Sequence, residues 1–416
     1  MISAVVAKKY SCLPRKLPPP TGDPPALPGH AHSPCRGEAP FSRERTTRIP
    51  GDSCASTGRG KNPDTLGAVS HFEITGHAQK SAWDANEIPP VEEVRPGLWS
   101  IPVPIPNNPL RYVLVYAFES NSGITLVDAG WDTDEAWGAL NAGIATAGGS
   151  MTDVTGVIVT HIHPDHYGLA GRIRDTSGAW IGLHPADASL LHERYEDTDD
   201  LVSRMGNLLA MSGVPEDVNP DLATASMQVK SLVHMALPDR SIEDGDALDV
   251  PGWNLNAIWT PGHSPGHLCL VDPDARLLLS GDHVLPRISP NISFHSQQFP
   301  NPLGDYLDSL AKIGFYEMDE VLPGHEYRFR GLKARADELI AHHEERLVEI
   351  EQLLAQDDRR TAWDLTQELK WSRPFNSMEH FMQRMANGET LAHLVLLEFR
   401  GRVSRDGNAP ALFSLK

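Results

Sequence analysis

From about Val94 the apolar positions fall into short β-branched or aromatic runs set apart by turn residues. Val94 to Ile101, Tyr112 to Phe118 and Ile124 to Val127 read as strands, the last two separated by the turn Asn121-Ser122-Gly123. Residues 132–147 switch to helical periodicity. Val157-Ile158-Val159, bounded by Gly156 and Pro164, reads as a buried strand running up to His161. A helix over 169–176 and a strand over 179–183 follow. Strands alternating with helices predict a layered α/β fold.

Residues 185 to about 238 turn helical, with Leu201, Met205, Leu208, Leu209 and Met211 spaced to build one apolar face. Core packing is the expected fate of that stripe; the alternative is a lid whose methionines receive an apolar substrate portion. Strands resume at 255–259, 268–271, 277–279 and 320–322. Beyond His325 the pattern gives helices at 342–354, 361–369 and 389–399. Residues 401–404 and 411–414 then flank a polar segment as a hairpin.

Length and charge narrow this picture. A chain of 416 residues suggests two or three units. Residues 1–70 hold ten basic and five acidic residues among many prolines, with no apolar period, and are expected to be a disordered Pro/Arg-rich tail, dispensable rather than a targeting peptide. The whole chain carries a net charge of -19, so the body after residue 70 is strongly acidic, which disfavours a large nucleic-acid surface. No apolar run approaches the roughly 18 residues of a membrane span, and the first residues lack a secretory pattern. Cys12, Cys35 and Cys54 lie in the tail and only Cys269 in the body. No disulfide framework follows, and a soluble, cytoplasmic protein is the expectation.

Candidate chemistry concentrates at Thr160-His161-Ile162-His163-Pro164-Asp165-His166. Alternate residues of an extended segment point the same way, so His161 and His163 can hold one ion while Asp165 and His166 turn toward a neighbouring position. Later strand ends repeat the theme: Thr260-Pro261-Gly262-His263, Ser280-Gly281-Asp282-His283 and Leu322-Pro323-Gly324-His325. Glycines beside the candidate ligands allow tight turns.

This ordered set, preceded by Leu126-Val127-Asp128-Ala129-Gly130, resembles the metallo-β-lactamase superfamily over roughly Val94 to Arg330. The resemblance implies an αββα sandwich of two sheets flanked by helices, with a metal pair at one edge. It assigns His161, His163 and His263 to a first ion, Asp165, His166 and His325 to a second, and Asp282 to both. Asp165 is also the candidate catalytic carboxylate. Asp128 would accept from a ligand histidine and fix its tautomer. Two Zn2+ ions are expected, with Fe or Mn as alternatives, and a metal-bridged hydroxide as nucleophile. His267 and His283 are expected to be structural, and His184 is left open.

His166 after Asp165 and the bridging Asp282 separate the chain from the lactamases proper. The remaining likeness is to the glyoxalase II and thioesterase-like branch, or to the lactamase-β-like endoribonucleases. Residues 338–416 resemble the winged-helix unit appended to such proteins, but ten basic against thirteen acidic residues there favour packing on the hydrolase over reading DNA. The implied organisation is a hydrolase domain at 91–335, with a helical insert at about 185–238, and a winged-helix-like domain at 338–416. The implied function is a binuclear zinc hydrolase of an ester or thioester acting on a small molecule. The alternatives are a single-strand endoribonuclease and a winged-helix regulator with a relict metal domain. Nothing in the sequence speaks to oligomeric state.

Overall fold

The computed structural model describes residues 72–225 and 227–416; the expected tail lies outside them. The first element is β1 (Glu73–Ile74), followed by a helix over His77–Ala85. Seven strands then form one sheet in chain order: β2 (Glu92–Arg95), β3 (Leu98–Pro104), β4 (Tyr112–Ser120), β5 (Gly123–Val127), β6 (Val154–Ile158), β7 (Trp180–Leu183) and β8 (Arg240–Ser241). The first four pair antiparallel, and β5 through β8 run parallel. The second sheet adds β9 (Asn256–Trp259), β10 (Leu268–Asp272), β11 (Leu277–Gly281), β12 (Glu320–Pro323) and β13 (Phe329–Arg330), with β1 at its edge beside β13.

Both faces of the central strands are buried, and period-two alternation sends alternate side chains into different cores. Along β4, Leu114, Tyr116 and Phe118 enter a core shared with Leu268, Leu270, Leu277, Leu279 and Leu322 of the second sheet. The intervening Val113, Val115 and Ala117 pack outward, against the helix Asp134–Thr146 through Leu140 and Ile144. The second sheet does the same: Cys269, Val271, Leu278 and Val321 face helices over Pro302–Ile313, Leu332–Gln356 and His380–Phe399. Four layers, helix on sheet on sheet on helix, result. Truncating a central side chain such as Leu114 to Ala would cost about 2–5 kcal/mol.

Several boundaries differ from those the sequence predicts. Order reaches back beyond Val91 to Phe72, because β1 pairs with β13 (Glu73↔Arg330) and Trp83 of the first helix enters the inter-sheet core. That helix buries only Gln79, Ala82 and Trp83, too few apolar residues to register as periodicity. The helix Pro302–Ile313 is absent from the sequence reading. Asn301 caps it by accepting from the Gly304 amide at 3.2 Å, Pro302 starts it, and Leu303, Tyr306, Leu307, Leu310 and Ile313 form its buried face. The helices predicted from 342 and 389 begin at Leu332 and His380. β6 stops at Ile158, short of His161, which with His163 stands on the loop beyond it.

The 185–238 segment is a chain of short helices with one longer one, Asp199–Met211. Its stripe packs: Leu201 and Leu209 are buried, and Met205, Leu208 and Met211 lie partly buried against neighbouring cores that include Trp363, Phe375 and Leu391. The C-terminal hairpin is β14 (Val403–Asp406) paired with β15 (Leu412–Leu415). Among the described residues no helix is long and apolar enough to cross a membrane.

Candidate metal centre

Five strand ends converge on one edge of the sandwich. Asp128 follows β5, the loop 160–163 follows β6, and Asp165 and His166 lie in the single helical turn Pro164–Tyr167 that Pro164 starts. His263 follows β9, Asp282 follows β11 directly, and His325 follows β12. All seven residues assigned as ligands from the sequence are thereby brought together. They fall into three overlapping groups whose donor atoms lie within 4.8 Å of one another: His161, His163 and His263; His161, His166 and Asp282; Asp165, His166 and His325.

In the first group His161 Nε2 and His263 Nε2 each lie 2.9 Å from His163 Nδ1. Around the other two, His325 Nε2 is 3.3 Å from both Asp165 Oδ2 and Asp282 Oδ1, and His166 Nε2 is 3.4 Å from Asp282 Oδ1. Asp282 Oδ2 reaches back to within 3.5 Å of His263 Nε2, so one carboxylate faces both sides of the centre.

The outward nitrogens of these rings are committed, which fixes which nitrogen points inward. Asp128 Oδ2 accepts from His166 Nδ1 at 2.7 Å, the Tyr112 carbonyl accepts from His325 Nδ1 at 2.8 Å, and the Asn291 carbonyl accepts from His263 Nδ1 at 3.0 Å. Each ring therefore turns its Nε2 to the centre, leaving that nitrogen to bind a metal. Asp128 adopts a left-handed backbone with φ of 66°. Its Oδ1 accepts the Thr160 amide at 2.8 Å, tying β5 to the ligand loop.

These residues fit divalent metal binding. His166 Nε2, His325 Nε2 and Asp282 Oδ1 are buried atoms that have no hydrogen-bond partner, and such orphans are costly unless an ion or water satisfies them. Burial, reinforced by neighbouring imidazoles, holds His161 well below the usual histidine range, and burial with the His263 ring does the same for His163. At His166 burial works the same way, yet Asp128, Asp282 and Asp165 outweigh it and raise the pKa; at His325, against burial, Asp282 and Asp165 raise it to about 10. The carboxylates thus call for positive charge between them, which a bound metal would supply without protons.

One positioning residue escapes the sequence reading. Asp187, fully buried on the helical turn Pro185–Ala188, accepts from the Ile162 amide (2.9 Å), the Ser264 hydroxyl (2.7 Å) and the Gly266 amide (2.6 Å). It clamps the 161–163 loop to the 263–266 loop. Gly266 is required there, since a Cβ would lie 2.6 Å from the Asp187 amide nitrogen. Nothing local in Pro-Ala-Asp-Ala marks this aspartate; the contacts span 25 and 79 residues.

The remaining histidines stand outside the three groups. His267 Nε2 accepts the Asp282 amide at 3.1 Å while its Nδ1 meets Thr260 Oγ1 at 2.9 Å, so it braces the Asp282 turn. His283 packs edge-on against Tyr306 with centroids 5.1 Å apart. His184 caps its own helical turn by accepting from Ala186 and stacks on Trp259.

A two-sheet sandwich carrying adjoining His/Asp clusters at one edge is the architecture of a metal-dependent hydrolase. The chain belongs to the metallo-beta-lactamase superfamily, whose family model matches residues 108–325. A probable metallo-hydrolase YqjP of Bacillus subtilis is 26% identical over 294 residues, 69% of this chain and 88% of that protein. The lactamase-like protein adaB of Aspergillus niger is 32% identical over 134 residues, which span only 40% of its length. Among solved structures, the metallo-beta-lactamase family protein TTHA1429 from Thermus thermophilus superposes with a TM-score of 0.68 at 32% identity, covering 78% of this chain and all of that one. A beta-lactamase domain protein from Burkholderia ambifaria gives 0.68 at 26% identity, covering 83% and 98%.

Proposed function

We propose that this hydrolase holds two zinc ions and cleaves an ester or thioester of a small molecule. The observation that carries the reading is the convergence of three buried metal-ligating atoms without hydrogen-bond partners, on His166, His325 and Asp282, beside the three imidazoles of His161, His163 and His263. His161, His163 and His263 would hold one ion, Asp165, His166 and His325 the other, with Asp282 facing both. Nitrogen-rich sites of this kind suit zinc. When bound, divalent ions supply acidified water at neutral pH and a Lewis acid for a carbonyl oxygen.

The protein's own part is orientation and proton control. Asp128, Tyr112 and Asn291 lock three imidazoles with Nε2 inward, and Asp187 fixes the distance between the two loops. Asp165, beside His325 Nε2, is the acidic side chain of the pair that stands most open to the mouth, with 13% of its side chain exposed against 9% for Asp282, and is positioned to take the proton of the attacking water. The hydrolase domain is read as 91–335 and the three C-terminal helices with the β14–β15 hairpin as a winged-helix-like unit at 338–416, packed on the second sheet and shaping the cleft.

Metal analysis of protein purified without chelator, together with side-by-side incubation with thioesters, lactones and single-stranded RNA, tests this. Close to two ions per chain and turnover of an ester or thioester are expected, with turnover abolished in Asp282→Ala. Cleavage of RNA alone, or a metal ratio near zero, would overturn it.

A further inference from the structure

Between β11 and the helix Pro302–Ile313 the chain runs without strand or helix. This irregular segment leads on from Asp282 and carries the Asn291 carbonyl that accepts from His263 Nδ1 at 3.0 Å. Backbone that forms no ladder of its own must find partners elsewhere, and the two long C-terminal helices supply several. From Leu332–Gln356, Arg335 donates through Nε to the Leu285 carbonyl at 2.8 Å and through Nη2 to the Ile288 carbonyl at 3.0 Å. From His380–Phe399, the Gly388 carbonyl accepts the Phe294 amide at 2.9 Å.

Asn291 is the centre of the second contact. Its side-chain nitrogen donates to Glu389 Oε2 at 3.1 Å and to the Met385 carbonyl at 3.5 Å, and its Oδ1 accepts from the Ser293 hydroxyl. The helix comes this close because residue 388 is glycine: a Cβ there would lie 2.9 Å from Ser293 Oγ and 3.0 Å from Ser293 Cβ. Glycine weakens a helix interior, so helical preference is given up here for contact. Asn291 thus meets a ligand imidazole with its backbone, 28 residues away in sequence, and Glu389 with its side chain, 98 residues away.

The same segment grips His263 from a second side. Gln298 donates from its side chain to the carbonyls of Gly262 and His263, both at 3.1 Å, so the ligand's backbone and its ring are each held from the stretch between β11 and Pro302. The direction of a carbonyl follows from where its residue is anchored, and a carboxylate is a strong acceptor for the amide that anchors this one. A ligand imidazole depends on its outward partner for orientation. His263 Nε2 already stands 2.9 Å from His163 Nδ1, so a small turn of the ring changes the spacing of the three-imidazole group.

We propose that Glu389 is a positioning residue of the metal centre: by anchoring the Asn291 side chain it fixes the direction in which the Asn291 carbonyl holds the His263 ring. The helix His380–Phe399 then builds part of the ion site as well as packing on the second sheet. The inference rests on His263 being a metal ligand and is independent of which ester or thioester is cleaved.

The test is Zn2+ titration of chelator-stripped full-length protein at pH 8 in competition with a metallochromic chelator. Glu389→Ala should weaken binding of at least one ion about fivefold or more, less than the roughly 10–100-fold lost when a ligand imidazole loses its outward partner outright. Glu389→Gln keeps an acceptor oxygen and should stay within about twofold of wild type. Asn291→Asp sets two carboxylates face to face and should weaken binding as Glu389→Ala does; combining it with Glu389→Gln restores one donor and one acceptor and should recover most of the loss. That pair of variants carries the test alone if Glu389→Ala does not fold. Leu397→Ala, a core truncation on the same helix, should lower the unfolding midpoint and leave metal affinity within about twofold. Wild-type affinity in Glu389→Ala, no recovery in the double variant, or an equal loss in Leu397→Ala each overturns the proposal, the last because helix stability alone would then account for it. Absence of ester or thioester turnover by protein that shows the expected pattern of affinities would remove the hydrolase reading and leave this inference standing.

Discussion

Asp187 Oδ2 accepts the backbone amide of Ile162 at 2.9 Å, placing a buried carboxylate between the two loops that carry His161, His163 and His263. Asp187→Ala removes the acceptor for the Ile162 and Gly266 amides together. Each orphaned buried amide costs about 1–3 kcal/mol, and the two loops lose their common tie. A lowered denaturant midpoint together with weaker metal retention is expected. Equilibrium unfolding and metal titration check it; a variant that loses stability but keeps wild-type metal affinity would show that the clamp serves the fold alone.

Asp128→Asn presents an amide group where His166 Nδ1 needs an acceptor, while Oδ1 can still receive the Thr160 amide. The fold should survive and metal affinity should fall roughly 10–100-fold, as for other residues that orient a ligand imidazole. Competition with a metallochromic chelator measures this directly.

Gly324 packs under the centre so closely that an added Cβ would lie 2.8 Å from both Asp282 Oδ1 and His166 Cε1. Neither atom belongs to a side chain free to swing away. Gly324→Ala should yield folded protein depleted of metal, and full metal content with normal melting would contradict the close approach.

Glu389 gives a pH-dependent test away from the ligands. Burial raises its carboxyl to about 7 from the ordinary 4.5, against the lowering influence of Arg346 and the Asn291 hydrogen bond. A folded-state value above the unfolded one means that the native state binds the extra proton. Its stabilising contribution is complete below about pH 4.5 and is lost as pH rises through about 7, with an upper bound of about 3 kcal/mol. Glu389→Gln should therefore be as stable as the native chain near pH 4.5 and more stable than it at pH 8. Chemical unfolding of both proteins at the two pH values decides it.

The alternation of strands and helices and the repeated appearance of His or Asp at strand ends are local features, and both are legible in the sequence. Short apolar runs bounded by turns mark strands whatever they pack against, and β4 and β11 illustrate it. The helix Pro302–Ile313 escapes that reading although its apolar spacing and Asn301 cap are regular. Elements before Val91 escape it for a different reason: β1 is two residues long and exists because β13 pairs with it.

The order of motifs along the chain carries the donor types by itself, since His-x-His-x-Asp-His puts chemically distinct donors within one turn. The tertiary structure alone decided how those donors meet. Asp187 with Ile162 and Gly266, Arg194 with Gln297, and Asn291 with both His263 and Glu389 join segments up to about a hundred residues apart. Hydrogen bonds of that kind depend on distance in space, and neither periodicity nor composition carries any trace of them until the two sheets close on each other.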